Sequence, residues 1–583
     1  MHRRRFLAAA VGAGAALASG MMLGRHLFSG ELFSGVGARR RKIPGRILGA
    51  AASIGHRLRR GTPVLSALSG VPTRTETVSC VVVGGGMAGL SAAWRLRKKG
   101  FSKFVLLELD SEVGGNSRSG ETEVSAYPWG AHYVPIPNAD SFLVRELFEE
   151  LGVITGHSLE ASTRGLPLYN ETYLCADPQE RLLLHGRWQE GLIPQFGVPE
   201  SEQRQYRNFL KQMDEFRTAR GADGRPAFAI PLEGSSQDSR FRRLDALTME
   251  EYLKEKGWDS PHLRWYVNYC CRDDYGGTLD QVSAWAGIHY FAGRSGRAAN
   301  AAPQSVLTWP EGNGWLVKRL RERVQEQVRT GSLVYRISRQ KSEQKSEGTS
   351  GFFVDYLEIG NPEGAQRTVR LIADHVIFAA PRFIARHVIE GFPSERARVS
   401  EAFHYAPWMV ANVSVDSVPA GHGAPLSWDN VSYQSPSLGY VLSTHQEIVR
   451  YSREKSVLTY YLPLSDEAPE AARKSASKKS LEDWQDLVVG DLSRMHPGIE
   501  SRITRLDVWI WGHGMIRPGR GFIWGKDRKA AAEPWGRLVF AHSDLSGISI
   551  FEEAQYWGVR AADQVLAHLP TVPDPEKLKE QGS

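Results

Sequence analysis

The sequence predicts an α/β protein organised on a Rossmann-like dinucleotide-binding domain, and three neighbouring features predict it. Cys80 is followed by Val81, Val82 and Val83, a β-branched run suited to a strand buried on both faces. Glycines then stand at 84, 86 and 89 in the G-x-G-x-x-G spacing, within Gly84-Gly85-Gly86-Met87-Ala88-Gly89, and a helical pattern follows through Leu90, Ala93, Trp94 and Leu96. Phe104-Val-Leu-Leu-Glu-Leu reads as the next strand, and its Glu108 lies 19 residues beyond Gly89, where an acid is expected to hold a ribose hydroxyl. The glycines differ in what they allow. Gly84 permits the tight turn, Gly86 lets a pyrophosphate approach the backbone, and Gly89 lets the helix pack on the strand. The helix N-terminus then offers its unpaired N–H groups to the phosphates.

At 583 residues the chain exceeds one compact core, so at least two domains are expected. The formal net charge of +7 is unevenly placed: residues 1–70 hold twelve Lys/Arg and one acid, which leaves the rest at −4. The folded part is therefore mildly acidic, and no basic face argues for nucleic acid. Four cysteines (Cys80, Cys175, Cys270, Cys271) are too few for a disulfide framework, and none forms a C-x-x-C pair, which argues against zinc or thioredoxin-like chemistry.

Residues 1–28 start Met-His-Arg-Arg-Arg-Phe-Leu and continue apolar, the pattern of an export signal or an uncleaved anchor. Arg3-Arg4-Arg5-Phe6-Leu7 resembles the twin-arginine pattern, and Ala16-Leu17-Ala18 offers a cleavage site. This predicts a periplasmic or exported protein handled by the twin-arginine machinery. Residues 29–75 read as a basic linker, disordered or in contact with an anionic membrane surface. Ser141–Leu151 is expected to be a helix, and 409–415 and 457–462 strands. Arg272-Asp-Asp274-Tyr275-Gly-Gly reads as a polar turn, residues 340–351 as a hairpin loop, and 570–583 as a flexible tail.

Further along, Gly114-Gly115-Asn116-Ser117-Arg118 and Gly130-Ala131-His132-Tyr133 follow the opening motif. Trp309–Val317, Leu333–Ile337, Ala373–Pro381, Gly536–Asp544 and Glu552–Ala562 add five blocks in order. As a set, these resemble the flavin amine oxidase superfamily, which includes amine oxidases, protoporphyrinogen oxidase and carotenoid desaturases. The resemblance implies non-covalent FAD in a Rossmann-like domain assembled from discontinuous segments, 76–137, 306–395 and 506–569. An α+β substrate domain would be inserted from 138–305 and 396–505. It implies FAD contacts at Gly84–Gly89, Glu108, Gly114, Gly115, Asn116, Arg118, Val334, Ala380, Asp544 and Ala554. Asp544 also reads as a helix-capping acid.

The implied function is hydride transfer from a small organic substrate to flavin, with oxygen or a membrane acceptor as oxidant. Catalytic residues stay unassigned, with His132, Trp511 and His513 as cavity candidates and no metal expected. Three departures bear on substrate. Asn116 stands where many amine oxidases have arginine, Val410 where they have a lysine, and Ile550 where they have an aromatic cage residue. These favour a general flavin oxidoreductase over a true amine oxidase, with a redox-neutral or purely binding flavoprotein as a third possibility. His542 could reach the cofactor.

Overall fold

A computed structural model of the chain describes residues 42–50, 52–58, 72–340, 351–359, 367–446 and 454–568. The signal at 1–28, the loop at 341–350 and the tail from 570 lie outside them. Of the two units into which the chain divides, Met1–Ile43 and Pro44–Ser583, the second is described below. No helix among the described residues is long and apolar enough to cross a membrane.

In chain order the strands of the two large sheets are β1 (Ile47–Gly49), β2 (Arg74–Val83), β3 (Phe104–Leu107), β4 (Glu180–Leu184), β5 (Arg187–Glu190), β6 (Val328–Arg329), β7 (Ser332–Arg339) and β8 (Phe352–Glu358). They continue as β9 (Arg367–Phe378), β10 (Tyr405–Val415), β11 (Asp429–Ser432), β12 (Tyr440–Leu442), β13 (Ser456–Pro463), β14 (Ile503–Ile516) and β15 (Leu538–Phe540). The helices that position the site are α1 (Met87–Lys98), α2 (Phe142–Glu150), α3 (Pro261–Tyr275), α4 (Gly314–Arg323) and α5 (Phe551–Leu566).

The first sheet has seven strands in the order β6-β3-β2-β9-β8-β7, with β15 also on β9. Its centre is parallel: β2 pairs β3 and β9 in parallel, and β9 pairs β15 in parallel. Val81 and Val82 are fully buried, as a strand covered on both faces requires. Helix α1 returns over this sheet, and α5 packs on α1 so closely that a Cβ at Gly558 would stand 2.2 Å from the Ala88 carbonyl oxygen. The sheet thus draws on three separated stretches of chain.

The second sheet has eight strands in the order β1-β14-β10-β13-β12-β11-β4-β5. Most of its pairs are antiparallel, but β11 pairs β4 in parallel and sets Asp429 opposite Glu180. The helix expected near 141–151 spans Phe142–Glu150, and the two expected strands lie within β10 and β13. Two stretches differ from expectation. Within the segment read as a linker, Ile47–Gly49 form the edge strand β1, because the exposed edge of β14 offers it a backbone ladder. Arg272–Tyr275 is the last turn of α3, not a free turn. Ser260 caps that helix by accepting from the Leu263 N–H at 3.2 Å, Pro261 opens it, and Gly276 at φ +61° ends it.

Candidate functional site: a dinucleotide cradle and an acidic, aromatic chamber

The turn after β2 carries α1 in with Gly86 as its N-cap (φ −70°, ψ −176°), and no side chain caps the helix. Met87 and Ala88 are buried. A buried helix start without a cap leaves N–H groups that need an acceptor. A Cβ added at Gly86 would meet nothing within 4 Å, so there is open space at the N-cap. Gly84, at φ +107°, makes the turn and packs on Ala379 and Ala380 at the end of β9.

The second glycine loop closes on the first: the Gly114 N–H donates to Gly85 O at 2.8 Å. Glu108 is anchored by the Gly85 N–H (2.7 Å) and the Asp110 N–H (2.9 Å). Burial raises its carboxyl, against those two hydrogen bonds. Arg118 pairs with Asp110 at 2.9 Å, and its guanidinium lies over the Trp509 ring at 5.1 Å. Ser332 N donates to Glu108 O at 2.8 Å, which brings β7 and Val334 to the same end. Asn116 donates to Gly514 O. At the start of α4 the buried Asn313 Oδ1 has no partner. An uncapped helix start, open space at Gly86, a fixed, half-buried carboxylate and an orphaned amide oxygen fit FAD, whose pyrophosphate and ribose supply the missing acceptor and donors.

Asp544 is committed to the protein. Burial raises its carboxyl, but the His542 ring, the Tyr405 hydroxyl (2.5 Å) and the Arg382 N–H (3.0 Å) bring the net shift downward. It therefore ties the end of β9 to β10, and His542 Nδ1 lies 2.9 Å from its other oxygen. Ala554 sits in the first turns of α5, whose N-cap is Ile550. Glu552 and Glu553 in that first turn are buried and pushed up to about 7 by desolvation. Glu553 is satisfied by Leu232 N–H and Ser546, whereas Glu552 Oε2 has no partner.

Of the three cavity candidates, only His132 faces a chamber. Its ring stacks on Tyr461 (4.6 Å) and lies 5.5 Å from Trp428 and 5.0 Å from Tyr133. Desolvation lowers it to about 4, so it is neutral at ordinary pH. The Tyr461 hydroxyl donates to Gly130 O at 2.9 Å, and the Ala131 N–H donates to Asn116 O at 2.9 Å, which joins His132 to the cradle. A cavity of about 10 Å³ opens beside His132, Trp309 and Trp428, room for one water. Trp511 instead donates to Trp129 O at 2.6 Å within a cluster with Trp509. His513 is exposed and stacks on Phe383 at 4.6 Å. Val410 is wholly buried in β10 between β13 and β14.

On the other side of Tyr461 lies an acidic cluster that sequence reasoning missed. One face of α3 presents Tyr266, Tyr269 and Asp273, at helical spacing. Asp429 and Glu180 face them from the paired strand starts, and the Tyr269 hydroxyl reaches Asp429 at 3.4 Å. Burial raises all three carboxyls, Asp273 to about 7, and each is raised further by its neighbours except Glu180, where burial alone acts. Asp273 and Asp429 are half-buried and Glu180 is exposed. Asp274, next to them, is paired with Arg294 at 2.9 Å. The Ser260-Pro261 start and the Gly276-Gly277 stop were the signals that could have revealed α3. Among the described residues no group of side chains is arranged to hold a metal ion.

Fold and site together define a Rossmann-like dinucleotide-binding protein, and its similarities to known proteins run to flavin-containing and other oxidoreductases. Residues 82–151 match the family model for an NAD(P)-binding Rossmann-like domain. The chain is 27% identical over 198 residues to a flavin-containing amine oxidase of Oncorhynchus mykiss, a match covering 33% of this chain and 31% of that protein. It is 22% identical over 542 residues to the oxidoreductase PigB of Serratia sp. (strain ATCC 39006), covering 84% of this chain and 75% of that one. A putrescine oxidase solved with putrescine bound superimposes with a TM-score of 0.59 at 15% identity, covering 85% of this chain and all of that one.

Proposed function

We propose that the chain is an exported FAD-dependent oxidoreductase that takes a hydride from a small organic substrate. The observation that carries this reading is the cradle: a buried, uncapped helix start facing open space at Gly86 beside a fixed Glu108. When bound, FAD supplies the hydride-accepting ring. The chain's own groups do the rest. The first-turn N–H groups of α1 hold the pyrophosphate, and Glu108 accepts from a ribose hydroxyl. His132, neutral and stacked between the cradle and the chamber, takes a proton at a ring nitrogen as the substrate is oxidised. The FAD is held without a covalent bond, and electrons leave to oxygen or a membrane acceptor. Export rests on the twin-arginine-like start of the sequence.

A second reading, an amine oxidase with an atypical cage, is favoured by one observation: the Asp273, Asp429 and Glu180 carboxyls converge on the chamber. An ammonium group entering there would be attracted to carboxylates in a low-dielectric site. Purification and an anaerobic substrate screen test both readings. The expected result is a yellow protein whose flavin is bleached by a substrate, with cationic amines the most effective if the second reading holds. A colourless protein that refuses added FAD overturns the proposal.

A further inference from the structure

The segment between the export-like start and the first Rossmann strand is built into the fold on two footings. The first is β1. Pro44 O accepts from the Leu506 N–H and Arg46 O from the Val508 N–H, each at 2.9 Å. Ile47, Leu48 and Gly49 then pair with Val508, Trp509 and Ile510 of β14. The second footing is residues 54–58, where Ile54 packs on the core, Leu58 is buried, and Gly55 lies against Leu109.

Both footings reach one chain of contacts. Leu48 backs Trp509, whose ring carries Arg118; Arg118 pairs with Asp110; the Asp110 N–H holds Glu108, and the Gly85 N–H holds its other oxygen. Leu109 stands between Glu108 and Asp110 in sequence. The first footing therefore presses on one end of the Trp509–Arg118–Asp110–Glu108 chain and the second on the other.

We propose that these two footings, residues 44–49 and 54–58, act as a strap that holds the adenosine end of the dinucleotide cradle closed, so that releasing the strap loosens the cofactor. This rests on the reading of the cradle as an FAD site. Two variants of the full chain test it. In Gly45→Val the added Cβ would stand 1.9 Å from Leu506 O and forces the first footing off. Leu58→Ser weakens the second by placing a hydroxyl in the core.

Fluorescence titration is expected to show FAD binding weakened at least tenfold in each variant. In the unmodified protein, saturating FAD is expected to slow tryptic cleavage after Arg46 and Arg57 at least fivefold, a readout that needs no variant to fold. FAD affinity within twofold of the parent in both variants overturns the strap, as does cleavage at equal rates with and without FAD. A parent that takes up no FAD refutes the reading of the cradle instead, so the two failures are distinct.

Discussion

Replacing Gly86 with alanine separates the cradle's two roles, folding and binding. The backbone at Gly86 has φ −70° and ψ −176°, an extended conformation that alanine adopts freely. The added Cβ meets no atom within 4 Å. The FAD-free variant is thus expected to be as stable as the parent or more so, by about 0.4–1 kcal/mol, because alanine narrows the unfolded ensemble. The same methyl stands where the pyrophosphate must approach the backbone. We expect FAD affinity to fall at least ~100-fold, equivalent to about 2.7 kcal/mol. Thermal unfolding with and without FAD reads both effects. At a concentration ~100 times the parent's Kd, FAD adds about 2.7 kcal/mol to the parent but only about 0.4 kcal/mol to a variant that binds ~100-fold more weakly. Gly89→Ala is the contrast: its Cβ would stand 1.9 Å from Gly84 O, so the FAD-free protein itself should be destabilised. A Gly86→Ala protein that binds FAD as tightly as the parent, with an undiminished ligand-induced shift, refutes the placement of the pyrophosphate.

Three further outcomes are expected. His132→Phe keeps a ring against Tyr461 but removes the proton acceptor, so substrate-driven flavin reduction in anaerobic stopped-flow should slow by roughly 10²–10⁴ while FAD affinity is unchanged. Asp429→Asn should raise KM for a cationic amine by about tenfold and leave a neutral substrate unaffected, since it removes a carboxyl that would ionise beside the bound ammonium. His289 is buried, and its ring contacts Ala229 O at 3.0 Å; desolvation depresses it from 6.5 to about 4. Its contribution is complete above about pH 6.5 and is lost as pH falls toward 4, because the unfolded chain binds the proton first. Chemical denaturation should show the difference in stability between pH 7.5 and 4.5 shrink by about 2–3 kcal/mol in His289→Asn.

The dinucleotide turn was legible because it is local. Val81 to Gly89 is one strand, one turn and one helix start, and the needs of that turn are written in nine consecutive residues. Glu108 was legible for a related reason, since a helix of fixed rise and one return strand set its distance from Gly89. Arg272–Tyr275 was misread because the two glycines after it resemble a turn, when one of them is the left-handed stop of α3. The Asp544 contacts with Tyr405 and Arg382 were not legible, because they join β10 and the end of β9 to a residue more than a hundred positions away.

By itself, then, the sequence determined the Rossmann start and the glycine spacing of its turn. Each depends on backbone conformation over a few residues. Only the tertiary structure decided which side chains share the chamber. Asp429 meets Glu180 because β11 and β4 pair in parallel across 249 residues. Tyr461 meets His132 because β13 runs past the Gly130 turn and is bonded to it. No periodicity records such meetings, since pairing between distant strands is set by burial of whole sheets. The same holds for β1, whose strand character came from the open edge of β14 and not from its own three residues.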